Sequence, residues 1–186
     1  MLRVSIDDAS YSDEHMAELS KKYGFECIFF WPVEWHTLAH MKGYDPLDFE
    51  TAKQIAQNHE IGSHTITHPV LTRVETDNVI YEVIKSKDIL EALFGVEVTK
   101  FAFPRGYTNQ YINRLVYTRY SYARRTVGID DDGYTLVHVH PESGANRGKH
   151  WQELTDVENL HLWCHGWEMD YYQLWNEFEK FIMERV

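Results

Sequence analysis

Two short segments, far apart in the chain, carry the residue types that a hydrolytic metal site needs. Asp7-Asp8 ends an apolar N-terminal run, and His64-Thr65-Ile66-Thr67-His68 lies far downstream. Between them they supply three oxygen or nitrogen ligands for a divalent ion, and one further carboxylate free to act as a base. Adjacent carboxylates point in different directions, so one can bind an ion while the other stays free. The plainer alternatives are a pair of solvated acids or a helix cap at Asp8 or Ser10, and, for the histidines, two polar loop residues. Two imidazoles four residues apart share a face only where the segment is helical or tightly turned.

The elements that must position these groups are short strands. Residues 2–6 have the β-branched content of a strand, and residues 60–63 read as a strand ending in a Gly break. Pro69 stops any helix, so the histidines sit where strand passes into loop. Further strands are expected over residues 25–31, 98–103, 120–123, 134–139 and 160–164. Helical spacing runs over residues 12–22, 48–59, 75–94 (closed by Gly95), 109–117 and 170–183. Residues 141–156, with Gly144, Asn146 and Gly148, read as a long loop placed to cover the site. The alternation implies a parallel sheet within one domain, residues 1–186. Asp7, Asp8, His64, residues 104–106 and His165 all follow predicted strands, where such folds carry their chemistry.

In these segments the chain resembles the polysaccharide deacetylases with a NodB-like domain, carbohydrate esterase family 4. Ser5-Ile6-Asp7-Asp8-Ala9 is similar to the family's first motif, T-F-D-D-G, with Ala9 in place of the Gly. Glu60-Ile61-Gly62-Ser63 leading into His64 and His68 resembles its second. Phe101-Ala102-Phe103-Pro104-Arg105-Gly106 resembles its third, with Ala102 where many members carry an Arg. Leu160-His161-Leu162-Trp163-Cys164-His165 is similar to the late strand that bears the family's final histidine.

The resemblance implies an α/β fold, an irregular, incomplete (β/α) barrel. It implies a metal-dependent hydrolase that removes N-acetyl groups from an N-acetylated sugar or polysaccharide. Asp8, His64 and His68 would hold one divalent ion, and Asp7 would be the base. The backbone N–H of Arg105 would steady the oxyanion, and His165 would protonate the departing amine. Two imidazoles and a carboxylate suit Zn, with Co, Ni, Fe or Mn as alternatives. Pro104, Tyr107, Trp163, Trp167 and Asp170 are the expected substrate-binding residues. Trp163 and Trp167 read either as groove walls or as core, and Asp170 either as the partner of an imidazole or as a helix cap. Arg124 and Arg125 are either solvated or stand in for the missing Arg near Asp7. Two other functions remain open: hydrolysis of a non-sugar amide of the ureide or formamide type, and carbohydrate binding without turnover.

Composition narrows the partners. A formal charge of −11 argues against nucleic acid and anionic membrane surfaces. Six Trp and twelve Tyr are more than a core needs, and flat rings stack on sugar faces. Cys27 and Cys164 lie in apolar strand-like segments and read as free, buried thiols. The sequence shows neither a leader peptide nor a membrane-spanning run, so the expectation is a cytoplasmic protein. Oligomeric state is not legible.

Overall fold

Alternation along one strand divides its side chains between two environments. From β2 (Glu26–Trp31), Cys27, Phe29 and Trp31 join a large apolar cluster, whereas Ile28 and Phe30 join a smaller one with Ala102 and Tyr122. A strand that is apolar on both faces belongs to a sheet covered on both sides. In the computed structural model, which describes residues 1–142 and 150–185, that sheet has eight strands. The others are β1 (Leu2–Asp7), β3 (Glu60–Ser63), β4 (Lys100–Ala102), β5 (Tyr122–Arg124), β6 (Gly128–Ile129), β7 (Thr135–His138) and β8 (Leu160–His165). Their order is β5-β4-β3-β2-β1-β8-β7-β6, parallel throughout except for the β6–β7 hairpin. The sheet curls into a half-barrel with β5 and β6 at its two ends, the incomplete (β/α) barrel expected from the sequence.

The helices are α1 (Asp13–Tyr23), α2 (Phe49–Ala56), α3 (Thr76–Ile80), α4 (Ser86–Phe94), α5 (Gln110–Val116), α6 (Gly166–Tyr171) and α7 (Trp175–Met183), with α1 packed against β2 and α4 against β3. A π-helical turn, Tyr81–Lys85, joins α3 to α4, so the long helix expected over residues 75–94 is continuous but not uniform. The closing helix expected over residues 170–183 is two helices, broken where Gln173 takes a left-handed φ of 56°. Strand β6 escaped the sequence reading because two residues carry no periodicity. Residues 143–149 of the expected covering loop lie outside the described residues. Both cysteines are free and buried. Among the described residues no helix is long and apolar enough to cross a membrane.

Register sets the site. Asp7 is the β-partner of His165, Ser63 of Phe101, and Ala102 of Arg124. The C-terminal ends of β1, β3, β4, β5 and β8 therefore meet at one rim.

Below that rim the half-barrel encloses a polar column. His161 Nδ1 lies 2.8 Å from Asp130 Oδ2, and its Nε2 lies 2.9 Å from Ser5 Oγ. A carboxylate only accepts, so Nδ1 carries the hydrogen and Nε2 accepts from the serine. The arrangement has the connectivity of a Ser-His-Asp triad, but Ser5 and His161 are both fully buried, so it braces the interior. Burial pushes His161 down to about 4, against help from its hydrogen bond to Asp130.

Two predictions follow from this packing. A Cβ on Gly62 would meet two carbons of the Phe30 ring at 2.3 Å, and that ring lies under the Arg124 guanidinium at 4.7 Å. Gly62→Ala is expected to destabilise by about 1–3 kcal/mol, lowering Tm by roughly 2–4 °C per kcal/mol in a thermal melt. The second concerns acid. A histidine held neutral by burial stabilises the fold fully above its ordinary pKa of 6.5 and loses that stabilisation as pH falls toward its folded value of about 4. His64, His68 and His138 shift in the same direction. Chemical denaturation should show stability falling from pH 7 to pH 5, by about 2 kcal/mol through His161 alone. The slope should be shallower in His161→Gln, and a midpoint that does not move in wild type would contradict the assignment.

Candidate metal centre and active site

The chain is bent sharply at each place where the site is built. Among the described residues six non-glycines have positive φ, and five of them, Asp8, Ala9, Thr65, His68 and Arg105, belong to this rim. Such backbone persists only where the surroundings over-determine it. At the end of β1, Asp8 (φ 80°) and Ala9 (φ 56°) turn left-handed, and the Tyr44 hydroxyl donates to the Asp8 carbonyl at 2.7 Å. The family's usual Gly at the Ala9 position fits this φ. After β3, Glu82 from the π-helical turn clamps the histidine loop. Its carboxylate accepts from Ile66 N–H at 2.7 Å, Thr67 N–H at 3.0 Å and the Thr67 hydroxyl at 2.6 Å.

That turn, not a helix, brings the two imidazoles together, with ring centres 4.7 Å apart. His68 Nε2 lies 3.4 Å from Asp8 Oδ1, and His64 Nε2 lies 3.8 Å from the same oxygen. One ligand atom from each of Asp8, His64 and His68 falls within 4.8 Å of the others. His64 Nδ1 donates to the Ala102 carbonyl at 2.8 Å, which leaves the lone pair on Nε2, facing Asp8. Burial holds His64 well below its ordinary pKa and lowers His68 too, so both rings favour the neutral, ligating form. Asp8 Oδ1 is buried without a hydrogen-bond partner. An orphaned carboxylate oxygen facing two imidazole nitrogens fits a divalent cation with ligand distances of about 2.0–2.2 Å.

Asp7 is held apart from this set. Its Oδ1 is ion-paired to Arg124, whose side chain is fully buried, while its Oδ2 lies 3.8 Å from His64 Nε2. Of the two arginines considered, Arg124 is the one at Asp7, and Arg125 is exposed. Because Ala102 and Arg124 are register partners, the cation missing from β4 is supplied by the neighbouring strand.

His165 faces the centre from β8, with Nε2 3.6 Å from Asp8 Oδ2. Its Nδ1 lies 2.7 Å from Glu168 Oε2. Burial opposes its charge, but Asp8 and Glu168 outweigh that and push it up to about 9. Glu168 also meets His138 Nε2 at 2.9 Å, and the two imidazoles hold its carboxyl far below the usual range despite burial.

The cleft above these groups has a volume of about 740 Å³ including its mouth, and its walls include Trp163, Trp167, Met41, Phe103, Thr126 and the exposed Arg105. Trp167 Nε1 reaches Asp8 Oδ2 at 3.4 Å, and Trp163 Nε1 donates to the Thr126 carbonyl at 2.8 Å. Pro104 is buried beneath the cleft and Tyr107 is 57% exposed, and neither is among its walls. Asp170 corrects the sequence reading. It lies near the end of α6, not at a helix start, where it accepts from Ser12 and from Trp175 Nε1 at 2.6 Å. The carboxylate on the imidazole is Glu168. Glu82, Glu168 and His138 were not singled out from the sequence. For Glu168 a signal existed, a carboxylate three residues after His165 at a strand-to-helix junction; for the others there was none.

Comparison with known proteins gives the family and the fold. The family profile described as polysaccharide deacetylase matches residues 3–123. Among curated proteins, a gellan lyase from Bacillus sp. is 28% identical over 150 residues, covering 75% of this chain but 5% of that protein. A carbohydrate esterase family 4 pseudoenzyme from Bacillus anthracis superposes with a TM-score of 0.68 at 18% identity, over 99% of this chain and 61% of that one. A mutant of that pseudoenzyme with restored enzymatic activity superposes at 0.69, with 19% identity, 99% of this chain and 63% of that one. A peptidoglycan N-acetylglucosamine deacetylase superposes at 0.67 with 15% identity, over 98% of this chain and 81% of that one. The chain thus spans less than two thirds of the length of the first relatives it matches. The profile covers well over half of the chain and takes in both the paired aspartates and the histidine turn, and this chain belongs to the polysaccharide deacetylase family.

Proposed function

We propose that this chain is a metal-dependent hydrolase that removes N-acetyl groups from an N-acetylated sugar or polysaccharide. One observation carries the reading. Asp8 Oδ1, buried and unpartnered, meets the neutral nitrogens of His64 and His68, while a second carboxylate, Asp7, stands beside them on its own arginine. The substrate class rests on the family, on the peptidoglycan deacetylase among its structural relatives, and on a cleft walled by two tryptophans.

A divalent cation on Asp8, His64 and His68, Zn by donor set with Co, Ni, Fe or Mn as alternatives, would polarise the acetyl carbonyl and acidify the attacking water. Asp7 Oδ2 takes the proton of that water, with Arg124 on Oδ1 fixing the carboxylate's orientation. The Arg105 N–H, on the turn after β4, steadies the oxyanion. An amine leaves poorly as an anion, so His165 delivers a proton from Nε2, with Glu168 on Nδ1 keeping the ring charged and aimed.

A second reading, carbohydrate binding without turnover, is favoured by the pseudoenzymes among the structural relatives. The two readings diverge at Asp7. Under the hydrolase reading Asp7→Asn keeps its cation, measured by elemental analysis, while acetate release from an N-acetylated glycan falls by about 10²–10⁴. His64→Ala and Asp8→Asn should instead lose most bound metal, because two protein ligands rarely hold a borderline ion. Unchanged turnover in Asp7→Asn, or equal metal content in His64→Ala and wild type, contradicts the assignment.

The role of His165 is tested by leaving group. His165→Ala should retain metal and a normal melt, and lose most amide hydrolysis. It should spare an activated acetyl ester, whose leaving group needs no proton. A folded variant that deacetylates the amide at the wild-type rate would show that another group is the acid.

A further inference from the structure

A second group of metal-binding residue types lies on the far side of His165. His138, His165 and Glu168 each offer one ligand atom within 4.8 Å of the others. The contacts converge on a single atom, Glu168 Oε2, which is 2.9 Å from His138 Nε2 and 2.7 Å from His165 Nδ1. Each ligand comes from a fixed element: His138 ends β7, His165 ends β8, and Glu168 sits in the first turn of α6. The His138 ring is stacked on Trp163 at 3.8 Å with only 3° between planes, so its nitrogen is already aimed. All three side chains are between 13% and 18% exposed, enough for water to complete a coordination shell. Two imidazoles and a glutamate are a donor set that catalytic zinc sites use, and prior orientation of the ligands favours binding.

We propose that His138, His165 and Glu168 form a second, weaker divalent-cation site, distinct from the one at Asp8, His64 and His68, and that its occupancy inhibits the enzyme. The site stands on this geometry alone; the inhibition rests on the acid role given to His165 under the proposed function. His165 presents Nε2 to the catalytic side and Nδ1 to Glu168, so a cation at Nδ1 occupies the position where the second ring proton must sit. The ring can then no longer be an imidazolium, and its capacity to protonate a leaving amine is lost.

Equilibrium dialysis of the full chain against rising free zinc, with elemental analysis of zinc per chain, tests the site directly. Wild type should fill one tight site and then a second. His138→Phe keeps the ring stacked on Trp163 but removes the ligand, and it should stop at one zinc, as should Glu168→Gln. His64→Ala should lose the tight ion and keep the weaker one. In parallel assays, wild-type deacetylation should fall as the second zinc binds. In His138→Phe the inhibitory concentration should rise by at least about tenfold, since even a supporting partner of a ligand is typically worth 10–100-fold in affinity. Thermal melts establish that each variant is folded. Wild type saturating at one zinc, or folded His138→Phe still taking up two, overturns the second site; loss of the tight ion is read separately, in His64→Ala. Filling of the second site with no loss of activity overturns the inhibition.

Discussion

Two adjacent carboxylates buried at the end of one strand are the constraint around which this half-barrel is arranged. Asp7 and Asp8 are each 2% exposed, and neighbouring anions out of water are costly unless each has its own compensation. The fold separates them through the left-handed backbone at Asp8, which turns the second side chain away from the first. Asp7 is met by a guanidinium held between Phe30 at 4.7 Å and Trp163 at 5.5 Å. Asp8 is met by histidines and an indole N–H, and keeps one oxygen without a partner. One carboxylate is thus satisfied by the protein, and the other is left for a ligand.

The same residue type does opposite things here because its partners differ. His64 donates from Nδ1 to a backbone carbonyl, a neutral acceptor that fixes a tautomer without favouring charge. His165 donates from Nδ1 to a carboxylate and faces a second one, which favours charge in spite of burial. Neutral imidazoles on one side and a charged one on the other are what a cation and a departing amine respectively need. The separation is maintained by supporting groups: Glu82 on the histidine turn, Glu168 on His165 Nδ1, and Tyr44 behind the Asp8 backbone.

Motifs in the sequence singled out Asp8, His64, His68 and His165, and the structure brings them together, because each follows a strand and a parallel sheet brings strand ends to one rim. Broad alternation gave the half-barrel. It misjudged what depends on a single backbone angle: the break at Gln173 that splits the last helix, and with it the place of Asp170. Asp170, read either as the partner of an imidazole or as a helix cap, is neither, and the carboxylate on His165 is Glu168, since α6 begins at once after β8 and turns Glu168 back toward the imidazole.

What the sequence determined by itself was a set of residue types in a period that specifies strands, helices and their order. Periodicity is local, so it is legible along the chain. Which cation would neutralise Asp7 was not local. Arg124 lies more than a hundred residues away and became its partner only because β5 pairs with β4 in a register that sets Arg124 beside Ala102. Strand register is decided by how a whole sheet buries its two faces, and a shift of one residue would have turned that guanidinium outward. Only the tertiary structure could choose between Arg124 and Arg125.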